Sequence, residues 1–464
     1  MLSAEDNERL TRIGEGTPMG TLLRRFWLPV LLASELPEPD GPPVRVRVLG
    51  RCLVAFRDSA GQVGLVDPRC PHRGADLFFG RNEEGGIRCV FHGWKFDTDG
   101  RCLDAPTMPP ERCAQILPRI RLSAFPVREA GDLIWGYFGP PGYEPAFPLL
   151  EFTRVPAAHR FMTKRLQECN WAQIMEGSVD TAHFSFLHAP LTRSDEEERS
   201  VVATMTRGYS TSSLNQDRIR WMRNDGRPQF QILQHEGGLV LGASRKADGE
   251  DLYWRITQYL LPTHVFAPST VAGETYHGLS YTPIDDRSCW VYSYSWNPDR
   301  PLTDEERASY AAGAALHAKV DAAWIPLRNR HNDYQIDRVQ QKHSTYTGIT
   351  GIAEQDACIQ ESQGPILDRS NEHLGPTDAG VVRWRRLMFD MLRDLENGTE
   401  PAAATHPESY CVRSGGHVAD ASKSLQQVML ERFGDPLGRT DRGGVPTAGE
   451  QAAAAVPASG VSQT

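Results

Sequence analysis

The stretch CPHRGADLFFGRNEEGGIRCVFHGWKF, residues 70–96, offers one cysteine and one histidine in each of two short segments. They are Cys70-Pro71-His72 and Cys89-Val90-Phe91-His92. The spacing is therefore C-x-H, sixteen intervening residues, then C-x2-H. A structural zinc site pairs cysteine with cysteine at short spacing, with a second pair to match. Here each segment delivers a mixed pair, which suits an inorganic centre with two chemically unlike ends.

A Rieske-type [2Fe-2S] cluster is such a centre, because one iron takes two thiolates and the other takes two imidazoles. Two hairpin-like loops, each giving one Cys and one His, clasp it from both sides. Gly74 and Gly93, just past the histidines, let the backbone approach the bridging sulfides. Backbone N–H groups aimed at those sulfides then help set the potential. A zinc-stabilised binding protein is the alternative, and it would be colourless where a Rieske centre is reddish-brown.

Bulk properties narrow the class. The chain of 464 residues exceeds one ordinary domain and can bury a large core. A net charge of −9 without long single-sign blocks excludes a nucleic-acid footprint. The apolar run FWLPVLLASEL is too short to span a bilayer, and the acidic start MLSAEDNERL is unlike a signal peptide. Nine scattered cysteines, an odd number, predict free or metal-bound thiols in a reducing cytoplasm.

Four parts are expected. Residues 1–40 read as a helical segment packing with the catalytic domain. Residues 41–148 alternate with period two in VRVRVLG, CLVAFRD, QVGLVD and DLIWGYF, and read as a small antiparallel β domain bearing the cluster. Residues 149–435 mix helices with the strand runs PQFQILQH, GLVLGASR, LYWRITQYLLP and CWVYSYSW, and a long helical pattern runs from Thr303 to Gln341. Residues 436–464 are low-complexity and read as a disordered tail. The fold class is α+β, a larger catalytic domain with a central antiparallel sheet flanked by helices beside the small β domain.

A ferredoxin needs only the first 150 residues or so, so the rest must account for itself. In NWAQIMEGSVDTAHFSFLHAP, residues 170–190, Gln173, Glu176, Asp180 and His183 share one helical stripe, and the other faces are apolar. His183 and His188 lie about 140° apart on a continuous helix and could not share a metal. Pro190 disfavours helix at Ala189, and a break near Leu187 returns His188 to His183. Two imidazoles and one carboxylate make the facial triad of a non-haem Fe(II) oxygenase, with positions left open. Spacing alone does not choose among Glu354, Asp356 and Glu361 for the carboxylate.

Asp180, His183 and His188 in D-x2-H-x4-H, after Asn170-Trp171 and together with PHRGA and HGWKF, resemble the α subunits of Rieske non-haem iron ring-hydroxylating oxygenases. The later stretches NDYQIDRVQ and YTGITGIAEQDACIQESQGPILDRSNEHLGPTD are similar to the phthalate dioxygenase-like group. This resemblance implies that Cys70, His72, Cys89 and His92 hold the cluster and that His183, His188 and Asp356 hold the iron. It implies a bridging role for Asp180 between the cluster of one subunit and the iron of the next, and places Asn170 close to the iron.

The implied protein is a terminal oxygenase that takes electrons from a separate NAD(P)H-dependent reductase, of flavin and iron-sulfur type. It uses O2 to dihydroxylate an aromatic ring, with an aromatic carboxylate as expected substrate. O- or N-demethylation or ether cleavage within the same family is one alternative, and a Rieske electron carrier without oxygenase activity is another. Arg207 and Arg245 are the cations expected to hold a substrate carboxylate. A head-to-tail homotrimer, or a dimer of trimers, is expected.

Overall fold

The structure, a computed structural model, describes residues 1–191, 213–268 and 275–440. The alternating run Val44–Val48 pairs antiparallel with Arg51–Arg57 through a two-residue turn in which Leu49 and Gly50 both have positive φ. Val63–Val66 adds the third strand of this sheet. A four-stranded sheet of Arg81–Glu83, Gly86–Arg88, Lys95–Phe96 and Cys102–Asp104 lies beside it. Val54, Phe56, Val66, Leu77, Ile87 and Phe96 form one buried cluster that also takes in Cys70 and Cys89.

The first forty residues are not helical throughout. Helices Ala4–Thr11 and Pro18–Leu23 are present, but the wholly buried run Trp27–Leu32 is a strand antiparallel to Leu133–Tyr137. Pro29 has no N–H to give a helix, and it sits where the ladder register shifts. The amino-terminal segment thus supplies a strand to the end of the β region, while its first helix ties to the catalytic half through the bond from Asn7 Nδ2 to Leu367 O.

The catalytic half is built on an eight-stranded antiparallel sheet. Its order runs Arg160–Gln167, Ser288–Trp296, Tyr276–Asp285, His264–Ala267, Asp251–Leu260, Gly238–Lys246 and Gln229–His235, with Gly415–Asp420 also pairing to Asp251–Leu260. The four strand runs expected in this half all lie in it. Arg160–Gln167 is not among those runs, and it carries two charges, Lys164 and Arg165, in mid-strand. Both are buried: Lys164 pairs with Glu35 at 2.9 Å, and Arg165 donates to Ser293 Oγ and Leu316 O.

The long helix expected from Thr303 to Gln341 does not form. Asp304–Ala311 is helical, after which Gly313 and Ala315 take positive φ, and only the short helix Arg338–His343 closes that stretch. Helix Trp171–Val179 packs against the sheet strand Tyr276–Asp285 and against helices Ile352–Ser362 and Ala379–Glu396. Trp171 meets Trp384 of the last helix edge to face, with ring centroids 5.5 Å apart. Residues 436–440, expected in the tail, are tied down by bonds from Arg413 N to Gly438 O and from Thr440 N to Cys411 O.

Candidate metal centres

The two Cys/His loops are built alike. Cys70 N donates to Ala75 O and Gly74 N to Cys70 O, while Cys89 N donates to Trp94 O and Gly93 N to Cys89 O. Each glycine has φ between 74° and 78°, the left-handed region the turn requires. The two thiols lie side by side, and burial, then Cys89, pushes the Cys70 thiol up to about 11. Only a cation would hold that buried sulfur as a thiolate. The imidazoles of His72 and His92 meet edge to face at 4.4 Å, and His72 Nδ1 is buried with no hydrogen-bond partner.

No three of these four ligand atoms are gathered tightly enough for a single ion. Among the described residues, the one group of three or more metal-ligating side chains with all ligand atoms within 4.8 Å of one another is His183, His188 and Asp356. The separated thiol and imidazole pairs therefore fit a cluster, and the compact triad fits one metal ion.

The triad depends on how one helix ends. Helix Trp171–Val179 stops earlier than expected, at Val179 and not near Leu187. Asp180 is its extended C-cap, and its Oδ1 accepts from Ala182 N at 2.7 Å, an Asx-type turn that competes with further helix. A short 3-10 turn, His183–Ser185, follows. His183 and His188 thereby come to 5.1 Å between ring centroids. His188 Nε2 lies 3.1 Å and His183 Nε2 3.7 Å from Asp356 Oδ1, and neither buried Nε2 has a hydrogen-bond partner.

Each ligand has a support. His188 Nδ1 donates to Gln355 Oε1 at 2.6 Å, and Gln355 Nε2 donates to Ile349 O at 2.7 Å, which fixes both the amide orientation and the imidazole tautomer. Asp180 Oδ2 is 3.5 Å from His183 Nδ1. Burial alone would raise the Asp180 carboxyl, but the His183 contact and the backbone N–H groups of Ala182 and His183 outweigh it and hold it below the usual range. Asp356 is likewise held low, because His188, His183 and Arg165 outweigh its burial.

The polar stripe on this helix is buried and fully engaged. Glu176 lies between Arg369, at 2.8 Å, and Arg385, at 2.7 Å. Gln173 Nε2 donates to Gln360 O and Gly364 O.

Comparison with known proteins now decides the class. Residues 26–126 match the Rieske [2Fe-2S] domain family, and residues 136–415 match the LigXa C-terminal domain like family. The chain is 34% identical over 447 residues to the 3-chlorobenzoate-3,4-dioxygenase oxygenase subunit of Comamonas testosteroni, covering 93% of this chain and 99% of that one. It is 35% identical to the phthalate 4,5-dioxygenase oxygenase subunit of Pseudomonas putida, covering 92% and 94%.

The chain belongs to the Rieske ring-hydroxylating oxygenases. The fold agrees with the structure of dicamba monooxygenase bound to dicamba, with a TM-score of 0.55 and 18% identity over 82% of this chain and 99% of that one. As a Rieske oxygenase, the protein is an enzyme that carries a [2Fe-2S] cluster and a mononuclear iron. No helix among the described residues is long and apolar enough to cross a membrane.

Within this oxygenase, three expectations need correction or closure. Asn170 is not near the triad. It is the N-cap at the opposite end of helix Trp171–Val179, about 15 Å from Asp180 at the helical rise. Its Oδ1 accepts from Ala172 N, and its Nδ2 donates to Thr11 O and Asp286 O. Arg245 is also committed to structure, donating to Thr181 O at 2.6 Å and Asp225 O at 3.2 Å. Arg207 lies outside the described residues.

Glu354 and Glu361 stand apart from the metal group. Glu361 accepts instead from Glu168 N and the Tyr334 hydroxyl. Two residues that sequence reasoning missed are Gln355, adjacent to Asp356, and Arg255, a lone charge in the apolar run LYWRITQYLL.

Proposed function

We propose that this chain is the terminal oxygenase component of a system that dihydroxylates the ring of an aromatic carboxylate. Cys70, His72, Cys89 and His92 would hold the cluster, and His183, His188 and Asp356 the iron. The observation that carries this reading is the convergence of two imidazoles and one carboxylate within 4.8 Å, with both buried Nε2 atoms turned to the Asp356 carboxylate. When bound, the cluster supplies electrons one at a time and the ferrous ion uses them to activate O2.

The protein's own part is positional. Gln355 keeps the His188 Nε2 lone pair facing the triad, and Asp180 does the same for His183 from its other side. The substrate class follows the relatives, which are named for 3-chlorobenzoate and phthalate dioxygenation.

Electrons come from a separate reductase, proposed to be an NAD(P)H-dependent flavin and iron-sulfur protein. The assembly is proposed as a head-to-tail homotrimer, single or stacked. Two observations support it. Among the described residues, no hydrogen bond, ion pair or ring contact joins either Cys/His loop to Asp180 or the triad within one chain. Both sites also carry exposed apolar side chains: Val90 and Phe91, 59% and 54% exposed, beside the cluster loop, and Phe186 and Tyr346 beside the triad. Asp180 would then bridge to a cluster histidine of the neighbour. Nine unpaired cysteines fit a cytoplasmic location.

The test is purification under anaerobic conditions, metal analysis and a substrate screen. About three irons per subunit, a reddish-brown spectrum and O2 uptake stimulated by benzoates or phthalate are expected, with a cis-dihydrodiol as product. A brown protein with about two irons that consumes no O2 with any aromatic would make it an electron carrier.

A further inference from the structure

A buried cation needs an anion, and one face of the catalytic sheet carries cations whose partner is not supplied by the described residues. Arg255 projects from the middle of strand Asp251–Leu260, opposite Ala243 in the register, and is 7% exposed. Among the described residues its one hydrogen bond runs from Nη1 to Thr257 Oγ1 at 3.2 Å, and no carboxylate lies within ion-pair distance of it. Its guanidinium carbon stands 3.7 Å over the ring of Phe184.

Phe184 follows His183 in sequence, and its ring is 4.7 Å from the imidazoles of both His183 and His188. The guanidinium is therefore one aromatic thickness removed from the metal-facing imidazoles. On the helix Ser213–Asn224 that covers this face, Arg218 Nε is buried with no partner. So is the hydroxyl of Tyr253, two residues before Arg255 on the same side of the strand. Ile219, Trp221, Tyr253 and Phe184 pack as one apolar cluster, which seals this group of donors from water.

The cations reinforce one another's need. Burial, together with the like charges of Arg218 and Arg245, pushes the Arg255 guanidinium down to about 9. Arg245 has its nitrogens occupied by Thr181 and Asp225, so it contributes charge but no free fork. Asp356 pulls the other way, and it belongs to the candidate metal triad. A planar guanidinium left with open donors in a dry site is a bidentate receptor for a carboxylate.

We propose that Arg255, with Arg218 beside it, anchors the substrate's carboxylate, so that an aromatic acid lies along Phe184 with its ring turned toward His183 and His188. This rests on the oxygenase reading above and deepens it by assigning specificity to residues other than Arg245. The anchor acts on binding and leaves the metal ligands alone. Phe184 serves as the shared wall, stacking with the cation on one side and limiting how far the ring can slide.

Calorimetric titration of the resting, iron-loaded enzyme tests this with benzoate and phthalate against benzamide and phthalamide. Wild type should prefer the acids. Arg255→Gln should weaken the acids on the order of 30-fold, the loss of one charge-assisted hydrogen bond, and leave the amides within about twofold. Arg255→Lys should fall between, and Arg218→Gln should weaken the acids by a smaller factor with the cluster spectrum unchanged. If Arg255→Gln does not fold, the acid-over-amide ratio of Arg255→Lys and Arg218→Gln decides the matter.

Equal weakening of acids and amides, or an unchanged ratio in all variants, overturns the proposal. So does a wild-type enzyme that prefers the amides. Substrate-stimulated O2 uptake with neutral aromatics alone would overturn the carboxylate anchor while leaving the oxygenase reading intact. Absence of iron and of O2 uptake would instead overturn that reading.

Discussion

Replacing Gln355 by leucine isolates what positions a metal-binding histidine. Leucine is close to glutamine in size but can neither accept from His188 Nδ1 nor donate to Ile349 O, contacts of 2.6 Å and 2.7 Å in a fully buried setting. The imidazole then loses the acceptor that fixes its tautomer, and its Nε2 lone pair no longer faces the triad by default. Losing such a support costs roughly 10- to 100-fold in metal affinity. That range corresponds to about 1.4 to 2.8 kcal/mol. Burying the unpartnered Ile349 carbonyl adds about 1 to 3 kcal/mol against folding, which is separable because it acts without metal.

The assay is anaerobic Fe(II) titration of mononuclear-site apoprotein against a competing chelator. The cluster's visible absorbance serves as an internal control, since its ligands come from other loops. Gln355→Glu keeps an acceptor for Nδ1–H and loses only the donor to Ile349, so it should recover part of the affinity. Iron binding within threefold of wild type in Gln355→Leu would refute the positioning role. An equal loss in Gln355→Glu would show that the Ile349 contact, not the His188 contact, matters.

Three further outcomes follow from other parts of the molecule. Cys89→Ser should abolish the visible spectrum and turnover while the triad still takes up one iron, as metal analysis would record; retained colour would reject the ligand assignment. Glu176→Gln leaves the buried guanidinium of Arg369 with no carboxylate, while Arg385 keeps Glu372, and should cost about 3 to 5 kcal/mol in denaturant unfolding, because a buried pair broken from one side leaves an uncompensated charge. Glu306 is held down at about 2, because Arg300, Thr275 and the Thr303 N–H together outweigh the effect of its burial. Its lowered pKa stabilises the fold above the ordinary carboxylate range, and that contribution is lost as pH falls from about 4.5 toward 2. Glu306→Gln should therefore lower stability at pH 7 and flatten the acid limb of an unfolding-versus-pH curve.

Local features were legible in the sequence, and long-range ones were not. The two cluster loops could be read because each mixed Cys/His pair sits within four residues and needs no tertiary context. The central strands of the catalytic sheet announced themselves as runs rich in β-branched and aromatic residues. Asp356 was a different matter, since three acids within eight residues of one another offered the same chemistry until the fold chose one. Asn170 carried a readable signal that pointed elsewhere: an asparagine just before Trp171-Ala172-Gln173 is an N-cap. The early end of the helix at Val179 was set by Asp180's own side chain bonding Ala182 N, a competition that hydrophobic periodicity does not register. Arg245 failed as a pocket residue because a buried guanidinium in a protein this size is as readily consumed by backbone carbonyls as by substrate.

The same competition explains why the triad is drawn from helix ends and a neighbouring helix, and not from one continuous face. Histidines five residues apart cannot converge on a helix, so the chain must leave helical geometry before His188, and here it does so already at Asp180. What was gained in convergence would be lost in rigidity if the following turn were held only by its own bonds. It is held from outside. Arg245 grips the Thr181 carbonyl, and helix Ile352–Ser362 brings both Asp356 and the amide that orients His188. That second helix is itself locked to the first segment: Gln360 accepts from Gln167 Nε2 at 2.6 Å and Gln173 Nε2 at 3.0 Å. Gly177 permits this approach, since a Cβ there would stand 2.3 Å from Gln360 Nε2. Asp356, the orienting amide and the anchor thus travel on one short helix, and the glycine opposite it leaves room for the Gln360 side chain that anchors it.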